Sequence, residues 1–243
     1  MRDLQMRNVL VTGGSRGIGL AIVRKLASSG YNVIAVARRE SDELREAAKA
    51  GKVQFASCDL SDIDAIPPFV KTVREKFGAL YGLVNNAGIG TEGLLATMRN
   101  SDIEALVRLN VLSPVILTKY VVRHMMADGD GRIVNISSII ASTGYNALSV
   151  YAATKAAATG FTRSLAREVG KLGITVNAVA PGFIATELTQ NLSDDSRQRI
   201  AGRSALRRLP DADDVASMVE YLLGEGGRNI TGSVLTVDAG NTA

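Results

Sequence analysis

NVLVTGGSRGIG, residues 8–19, is the stretch that decides the fold of this 243-residue chain. Its first five residues form a short apolar run, and Gly13, Gly17 and Gly19 then punctuate a turn that leads into an amphipathic segment. Glycine lets backbone amides approach a phosphate, and the N-terminus of a helix adds positive potential. We therefore predict a dinucleotide site after the first strand. An ordinary strand–helix turn stays open as the alternative for the glycines alone.

The same alternation of apolar runs and amphipathic segments continues to the end of the chain. The runs are rich in Val and Ile and continuous rather than alternating, as expected of strands covered on both faces. We predict strands at 8–12, 32–37, 53–56, 81–85, 131–137, 175–179 and 233–237, and helices near 17–29, 42–50, 62–77, 101–127, 150–171 and 213–223. This order predicts an α/β fold: one Rossmann-type domain over residues 1–243, with a doubly wound, seven-stranded parallel sheet and helices on both faces. The most irregular part, about 183–212, is expected to form a lid over a substrate.

Composition narrows the functional class. Hydrophobic residues make up 46% and charged residues 21% of the chain, the net charge is +4, and there is one cysteine, Cys58. Basic residues are interleaved with acidic ones, so we expect no nucleic-acid groove. We also expect no membrane segment, no metal site and a reducing, cytoplasmic location.

Two arginines favour NADP(H) over NAD as the cofactor. Arg16 lies inside the glycine loop, and Arg38 follows the second strand, where a site for NAD usually carries an acid. Arginine can instead pair with a 2′-phosphate, although a solvated strand end is the simpler alternative for Arg38. Asp59, after the third strand and beside Leu60, is expected to meet the adenine amino group.

A third pattern carries the chemistry. Tyr151 and Lys155 are four residues apart in a predicted helix, so they share one face. A nearby ammonium favours a phenolate, and we therefore expect Lys155 to lower the pKa of Tyr151. Such a tyrosine can act as a general acid. Ser138, thirteen residues before Tyr151, is the candidate to hold the substrate oxygen, with Ser137 as the alternative.

Taken together, the motifs resemble the short-chain dehydrogenase/reductase family over essentially the whole chain. They are TGGSRGIG, NNAG at 85–88, Asn110, Ser138, the Tyr151–Lys155 pair and Pro181-Gly182. Within that family, LAREV at 165–169, GITVN at 173–177 and APGFI at 180–184 are most similar to 3-oxoacyl-[acyl carrier protein] reductases.

The resemblance implies a role for each matching residue. Tyr151 would protonate a ketone oxygen, Lys155 would bind the nicotinamide ribose, Ser138 would hold the carbonyl, and Asn110 would hold a water on the path of the proton. Ile184 and Thr186 would meet the nicotinamide carboxamide. The complete predicted cofactor site comprises Gly13, Ser15, Arg16, Gly17, Ile18, Gly19, Arg38, Asp59, Leu60, Asn86, Ala87, Gly88, Tyr151, Lys155, Pro181, Gly182, Ile184 and Thr186.

The function implied is NADPH-dependent reduction of a 3-oxoacyl thioester, held on an acyl carrier protein or another thioester carrier, in fatty-acid or polyketide synthesis. Two alternatives stay open: reduction or oxidation of a free small ketone or alcohol, and a non-catalytic NADP sensor or scaffold. The resemblance also implies a homotetramer built on the helices at 101–127 and 150–171 and on the last strand. Gly129 and Leu172 stand where such reductases commonly carry basic residues that engage the carrier, so carrier docking at these two positions is not expected.

Overall fold

The computed structural model describes residues 7–184 and 194–243, along which there are seven strands, each linked to the next by one or two of eight α-helices. In chain order they are β1 (Asn8–Thr12), α1 (Gly17–Ser28), β2 (Asn32–Ala37), α2 (Asp42–Ala48), β3 (Val53–Ser57), α3 (Ile66–Phe77), β4 (Leu80–Asn85), α4 (Asn100–Val107), α5 (Ser113–Asp128), β5 (Gly131–Ile136), α6 (Ser149–Val169), β6 (Ile174–Pro181), α7 (Asp194–Arg203), α8 (Ala212–Leu223) and β7 (Val234–Val237). All strands pair in parallel, in the order β3-β2-β1-β4-β5-β6-β7. The predicted fold class is confirmed.

Burial on both faces of the sheet explains the continuous apolar runs. In β1, Val9 and Val11 face a core shared with α1 and α8, whereas Leu10 faces a second core shared with α3, α5 and α6. All three side chains are fully buried. A strand with only one covered face would have shown alternating polarity instead.

The helices differ from the prediction in three places. Asp62 caps a 3₁₀ turn at Ile63–Ala65 by accepting a hydrogen bond from the amide of Asp64 (3.2 Å), and α3 begins only after it. The helix predicted at 101–127 is divided by a π turn at Arg108–Leu112 into α4 and α5. Helix α7 was not predicted, because its sequence DDSRQRIAGR carries no apolar stripe.

One helical segment, Asn100–Asp128, is long and apolar enough to cross a membrane when only length and composition are considered. Its inner side packs on the sheet through Leu117, Val121 and Met125, all of which are buried. Val107, Leu112 and Met126 on the same segment are exposed by 44%, 41% and 43%. The segment is therefore a core helix on its inner side, and its outer side carries these three apolar residues among exposed charged ones such as Lys119 and Arg123.

The chain after β6 approaches the C-terminal tail closely. A methyl group on Gly182 would lie 2.6 Å from Cβ of Asp238, so this position admits only glycine. The Asp238 carboxylate accepts hydrogen bonds from the amides of Gly240 and Thr242. The amides of Ala205 and Leu206 donate to carbonyls of the tail, which attaches the end of the predicted lid to the tail. Residues 185–193 of that lid lie outside the described residues.

Candidate active site

The sheet order reverses between β1 and β4, which are neighbours although three connections separate them in sequence. The chain leaves β1 towards β2 on one side and leaves β4 towards β5 on the other. The carboxyl ends of β1 and β4 therefore border a crevice, the place where open α/β sheets bind ligands. The glycine loop and the NNAG turn both lie there.

Backbone geometry makes the glycines of the loop necessary. Gly13 and Gly17 have φ of +66° and +54°, in the left-handed region. At Gly19, a methyl group would lie 2.0 Å from the carbonyl oxygen of Gly13, which no relaxation of a side chain could relieve. No heavy atom lies within 4 Å of a methyl group placed on Gly17, so a ligand can approach the backbone there. α1 begins at Gly17, with exposed Arg16 at its N-cap position and half-buried Ile18 packed on the core.

Thr12 joins the two sides of the crevice. Its hydroxyl accepts hydrogen bonds from the amides of Asn86 and Ala87, both 2.9 Å, and donates to the carbonyl of Val84 (3.2 Å). The Asn86 side chain returns a bond to the carbonyl of Thr12 (2.9 Å). Asn85 instead links β4 to Asn135 of β5 (2.8 Å). The backbone and side-chain amides of the NNAG turn thus join β1, β4 and β5 at the centre of the sheet.

The outer end of the predicted cofactor site is open to solvent. Arg38 and Asp59 are exposed, whereas Leu60 is buried. The side chain of Ser61 and the amide of Ser61 both donate to Oδ1 of Asp59 (2.7 and 3.0 Å) and lower the pKa of that carboxyl. Ser41, the N-cap of α2, donates to the carbonyl of Ser15 (2.6 Å) and so supports the glycine loop from outside.

Ser138 is the second residue after β5 and is buried. Its Oγ accepts a hydrogen bond from the amide of Ile140 (3.3 Å), so the hydroxyl hydrogen is left to donate elsewhere. The alternative, Ser137, has a structural role, because its hydroxyl donates to the carbonyl of Lys155 (2.9 Å) and ties β5 to α6. This contact favours Ser138 over Ser137 as the residue that can meet a substrate.

Tyr151 and Lys155 lie on one face of α6, as their spacing predicts. Nζ of Lys155 is 5.6 Å from the centre of the Tyr151 ring and donates to the carbonyl of Ile136 (3.0 Å). Lys155 is buried, with 8% of its surface exposed. Burial lowers the pKa of Lys155 to about 8, so the ammonium form still dominates at neutral pH.

The expected pKa shift of Tyr151 is wrong in direction. Burial raises the pKa of the Tyr151 phenol above its ordinary value of 10.0. The physical reason is that loss of hydration penalises the phenolate. The protonated phenol is therefore the resting form, which suits a group that donates a proton to a carbonyl oxygen.

Asn110 lies in the π turn between α4 and α5 and is buried. Its Oδ1 accepts from the amide of Ile89 (2.9 Å), and its Nδ2 donates to the carbonyl of Ile89 (2.8 Å) and to the hydroxyl of Thr154 (3.2 Å). Thr154 in turn donates to the carbonyl of Tyr151 (2.7 Å). The side chain of Asn110 therefore positions the loop after β4 beside α6, and both of its amide hydrogens are used in doing so.

The remaining predicted residues follow β4 and β6, the strands on either side of β5. A methyl group on Gly88 would lie 3.1 Å from Oδ1 of Asn110 and 3.8 Å from Nζ of Lys155, so the NNAG turn reaches the catalytic candidates. Pro181 ends β6, and Ile184 is buried in the core that α1 and α8 share. Thr186 lies outside the described residues.

Three hydroxyl groups were missed as parts of the site: those of Thr12, Ser41 and Thr154. Each makes its contact across a large distance in sequence or through a helix end, so no local spacing identifies it. Of the three, only Thr12 has a signal in the sequence, because it is the threonine that opens the TGG motif. Among residues 7–184 and 194–243, no group of three or more His, Cys, Asp or Glu residues is arranged to hold a metal ion.

The sheet is parallel and of the Rossmann type, with a glycine loop at its reversal point and a serine, a tyrosine and a lysine at the same edge. These features define a class of proteins: dinucleotide-dependent oxidoreductases that act on a carbonyl or hydroxyl group. A sequence model described as short chain dehydrogenase matches residues 7–197. The chain belongs to this family.

Two kinds of relative agree with this assignment. The chain is 39% identical over 238 residues to the 3-oxoacyl-[acyl-carrier-protein] reductase FabG of Haemophilus influenzae, covering 98% of both proteins. It is 40% identical over 237 residues to FabG of Escherichia coli K12, covering 95% of both. Among solved structures, a short-chain dehydrogenase/reductase from Serratia marcescens is 35% identical with a TM-score of 0.92 over 99% of both chains. A short chain dehydrogenase from Burkholderia cenocepacia in complex with NADP is 36% identical with a TM-score of 0.90 over 99% of both chains.

Proposed function

We propose that this protein reduces a 3-oxoacyl thioester, held on an acyl carrier protein, to the 3-hydroxyacyl product with NADPH in fatty-acid synthesis. The observation that carries this proposal is that Nζ of Lys155, on the same helix face as Tyr151, donates to the carbonyl of Ile136 at the carboxyl end of β5, two residues before Ser138. Identity of about 40% to several FabG reductases, over nearly their whole length, supports the substrate class.

The residues present fit a dinucleotide. Open space beside Gly17 and the left-handed φ of Gly13 and Gly17 leave the backbone at the start of α1 accessible to a phosphate. Arg38 is exposed at the end of β2, where its guanidinium can pair with a 2′-phosphate. Bound NADPH supplies the hydride that reduces the carbonyl carbon.

The protein's own groups hold the substrate and move the proton. Ser138 donates its free hydroxyl hydrogen to the carbonyl oxygen and fixes its position. Tyr151 gives its phenolic proton to the same oxygen as the carbon is reduced, which leaves the alcohol product and a phenolate. The ammonium of Lys155, on the same helix face, favours that phenolate electrostatically, and Asn110 keeps the loop at 88–90 in contact with α6 through Ile89 and Thr154.

A second candidate is oxidation or reduction of a free small ketone or alcohol. The intact catalytic candidates speak against a non-catalytic sensor, but they serve either substrate. The deciding assay follows NADPH oxidation with 3-oxoacyl carrier protein, with 3-oxoacyl-N-acetylcysteamine and with a panel of free ketones. We expect the highest kcat/KM for the carrier-bound substrate; comparable or higher values for free ketones would favour the second candidate and contradict our proposal.

Carrier docking calls for a basic surface, and Arg132, which is close in sequence to Gly129, does not supply it. Arg132 is 8% exposed, and its guanidinium donates to Asp130 (3.1 Å) and to the carbonyls of Gly131 and Gly173. We assign docking instead to exposed arginines in and after α7: Arg199, Arg203, Arg207 and Arg208. Charge reversal at Arg203 should raise KM for the carrier-bound substrate and leave KM for the N-acetylcysteamine thioester unchanged. An equal change in both would contradict the assignment.

We further propose a homotetramer. The exposed apolar residues Val107, Leu112 and Met126 on α4, the π turn and α5 support one contact, which would also use α6. Strand β7 is an edge of the sheet, and Tyr221 on neighbouring α8 is 48% exposed, which supports a second contact. Light scattering tests this proposal: a fully active species near 25.6 kDa, the mass of one chain, would contradict it.

Two finer points complete the proposal. We propose a reducing, cytoplasmic location, because the only cysteine of the sequence, Cys58, is a buried free thiol and the sequence offers no second cysteine for a disulfide within the chain. A role in polyketide synthesis would use the same site and the same chemistry, so the acyl substrate preferred in the assay above distinguishes the two pathways.

A further inference from the structure

Two aromatic rings outside the catalytic set meet at the edge of the candidate site. The rings of Tyr145 and Phe183 pack edge to face, with centres 5.4 Å apart and planes inclined by 67°. Both side chains are half-buried, so part of each ring faces the solvent. Edge-to-face packing fixes both rings, which makes the pair a rigid apolar surface.

The pair connects the loop that leads to Tyr151 with the segment that follows β6, the neighbour of the strand that leads to Ser138. Tyr145 precedes Tyr151 by six residues, and a turn closed by the amide of Leu148 on the Tyr145 carbonyl (3.4 Å) leads into α6. Phe183 follows the end of β6. Strand β6 pairs with β5, and the last hydrogen bond between the two segments runs from the amide of Ser137 to the carbonyl of Val179 (2.7 Å). Ser138 and Phe183 thus extend from the carboxyl ends of adjacent strands. The pair therefore adjoins, in sequence, the helix that carries Tyr151 and, in the sheet, the strand that leads to Ser138.

Further apolar surface adjoins the pair. The amide of Gly93 donates to the carbonyl of Ala147 (2.9 Å), which holds the loop after β4 against the loop that carries Tyr145. Ala147 takes a left-handed φ of 62° at this contact, an unusual conformation for alanine. Next to Gly93, Leu94 and Leu95 are exposed by 57% and 60%. Exposed leucines and aromatic rings around a catalytic cleft are suited to a flexible apolar ligand.

We propose that Tyr145 and Phe183 form the wall against which the acyl chain of the substrate packs, and that this pair sets the preference for chain length. The inference rests on the proposed function, because it assumes a 3-oxoacyl substrate. Full burial of a methylene corresponds to about a fourfold gain in kcat/KM. A wall covers only one side of the acyl chain, so about half of that free energy is expected. This corresponds to a gain in kcat/KM of roughly twofold per methylene.

The test compares 3-oxobutanoyl and 3-oxooctanoyl N-acetylcysteamine thioesters, which differ by four methylenes. In the native protein, kcat/KM should be roughly sixteen-fold higher for the longer substrate, from the twofold step above. In Tyr145→Ala and Phe183→Ala the ratio should fall below about fourfold. Tyr145→Phe keeps the ring and should keep the ratio near that of the native protein. NADPH affinity and circular dichroism establish that each variant is folded.

Two results would overturn the inference: an unchanged ratio in both alanine variants, or a ratio that rises because the rings block long chains. Failure of the proposed function is recognised separately, by running the same chain lengths as ethyl 3-oxo esters. If the protein reduces esters but not thioesters, the substrate class is wrong, yet the ester ratio still decides the role of the rings. Calorimetry of saturated acyl-N-acetylcysteamines of the same chain lengths, in the presence of NADP, gives the ratio of affinities for long and short chains without turnover. An affinity independent of acyl-chain length would also refute the proposed role of Tyr145 and Phe183.

Discussion

Replacement of Lys155 by methionine should make the folded protein more stable while it destroys activity. Methionine has a similar length and no charge, and Lys155 is 8% exposed. The fall in the pKa of Lys155 from its ordinary value of 10.5 to about 8 corresponds to about 3 kcal/mol of destabilisation at pH 7, at about 1.4 kcal/mol per pKa unit. Loss of the hydrogen bond to the carbonyl of Ile136 costs about 1 kcal/mol in return. The free energy of unfolding of Lys155→Met should therefore exceed that of the native protein by about 2 kcal/mol.

The sign of the pH dependence follows from the same shift. Below pH 8 the ammonium of Lys155 is charged in both the folded and the unfolded chain, so the full burial penalty is present. Between pH 8 and 10.5 the folded state has lost this proton and the unfolded state has not, so the stability of the native protein rises relative to Lys155→Met. From pH 7 to pH 9.5 the advantage of the variant should shrink by about 2 kcal/mol.

Urea unfolding at the two pH values, followed by circular dichroism, measures both effects. Only the difference between native protein and variant is used, because burial also raises the pKa of Tyr31 and Tyr81 and these phenols change stability with the opposite sign. Lys171→Met, at an exposed lysine, is the matched control and should show no such dependence. A variant that is less stable at pH 7, by an amount independent of pH, would refute the reasoning.

Three further changes test other contacts. Gly19→Ala should lower the free energy of unfolding by at least about 1–3 kcal/mol and abolish NADPH binding, because the added methyl group would meet the Gly13 carbonyl. Gly202→Ala, on a helix with open space around it, should leave stability nearly unchanged. Equal urea midpoints for the two variants would refute this contrast. Thr12→Val should lower the free energy of unfolding by about 2–3 kcal/mol, since the amides of Asn86 and Ala87 lose their acceptor. An unchanged urea midpoint would show instead that water replaces the lost acceptor. Arg38→Asp should weaken NADPH by roughly 1.5–3 kcal/mol and spare NADH in fluorescence titrations; an unchanged preference would shift the assignment to Arg16.

The seven strands could be predicted from sequence, and their ends differ from the structure by at most two residues. The five inner strands are covered on both faces and therefore read as continuous apolar runs, whereas the edge strands β3 and β7 are partly exposed. The site could be predicted only where one local segment sets the geometry. The spacing of Tyr151 and Lys155 on α6 is such a case, and so are the glycines before α1. The chain between β6 and α8 could not be predicted, because α7 is polar all round and lacks helical periodicity.

Long-range contacts explain the rest of what sequence did not show. Thr12 meets Asn86 and Ala87 across 74 and 75 residues, and Asn110 meets Thr154 across 44. The charge of Lys155 alone predicts a lowered pKa for Tyr151, but desolvation depends on how much protein surrounds the phenol, which spacing alone does not reveal. Sequence spacing therefore indicates which groups meet, and the fold determines their protonation.

A comparison of native protein with Tyr151→Phe, using NADPH and a 3-oxoacyl carrier protein as substrates, tests the role of Tyr151 as proton donor. The variant keeps the ring and the surroundings of the cofactor but has no proton to give. We predict that kcat falls by about 10²–10⁴-fold while the affinity for NADPH, measured by fluorescence titration, changes little. Retention of more than about a tenth of native activity would contradict that role.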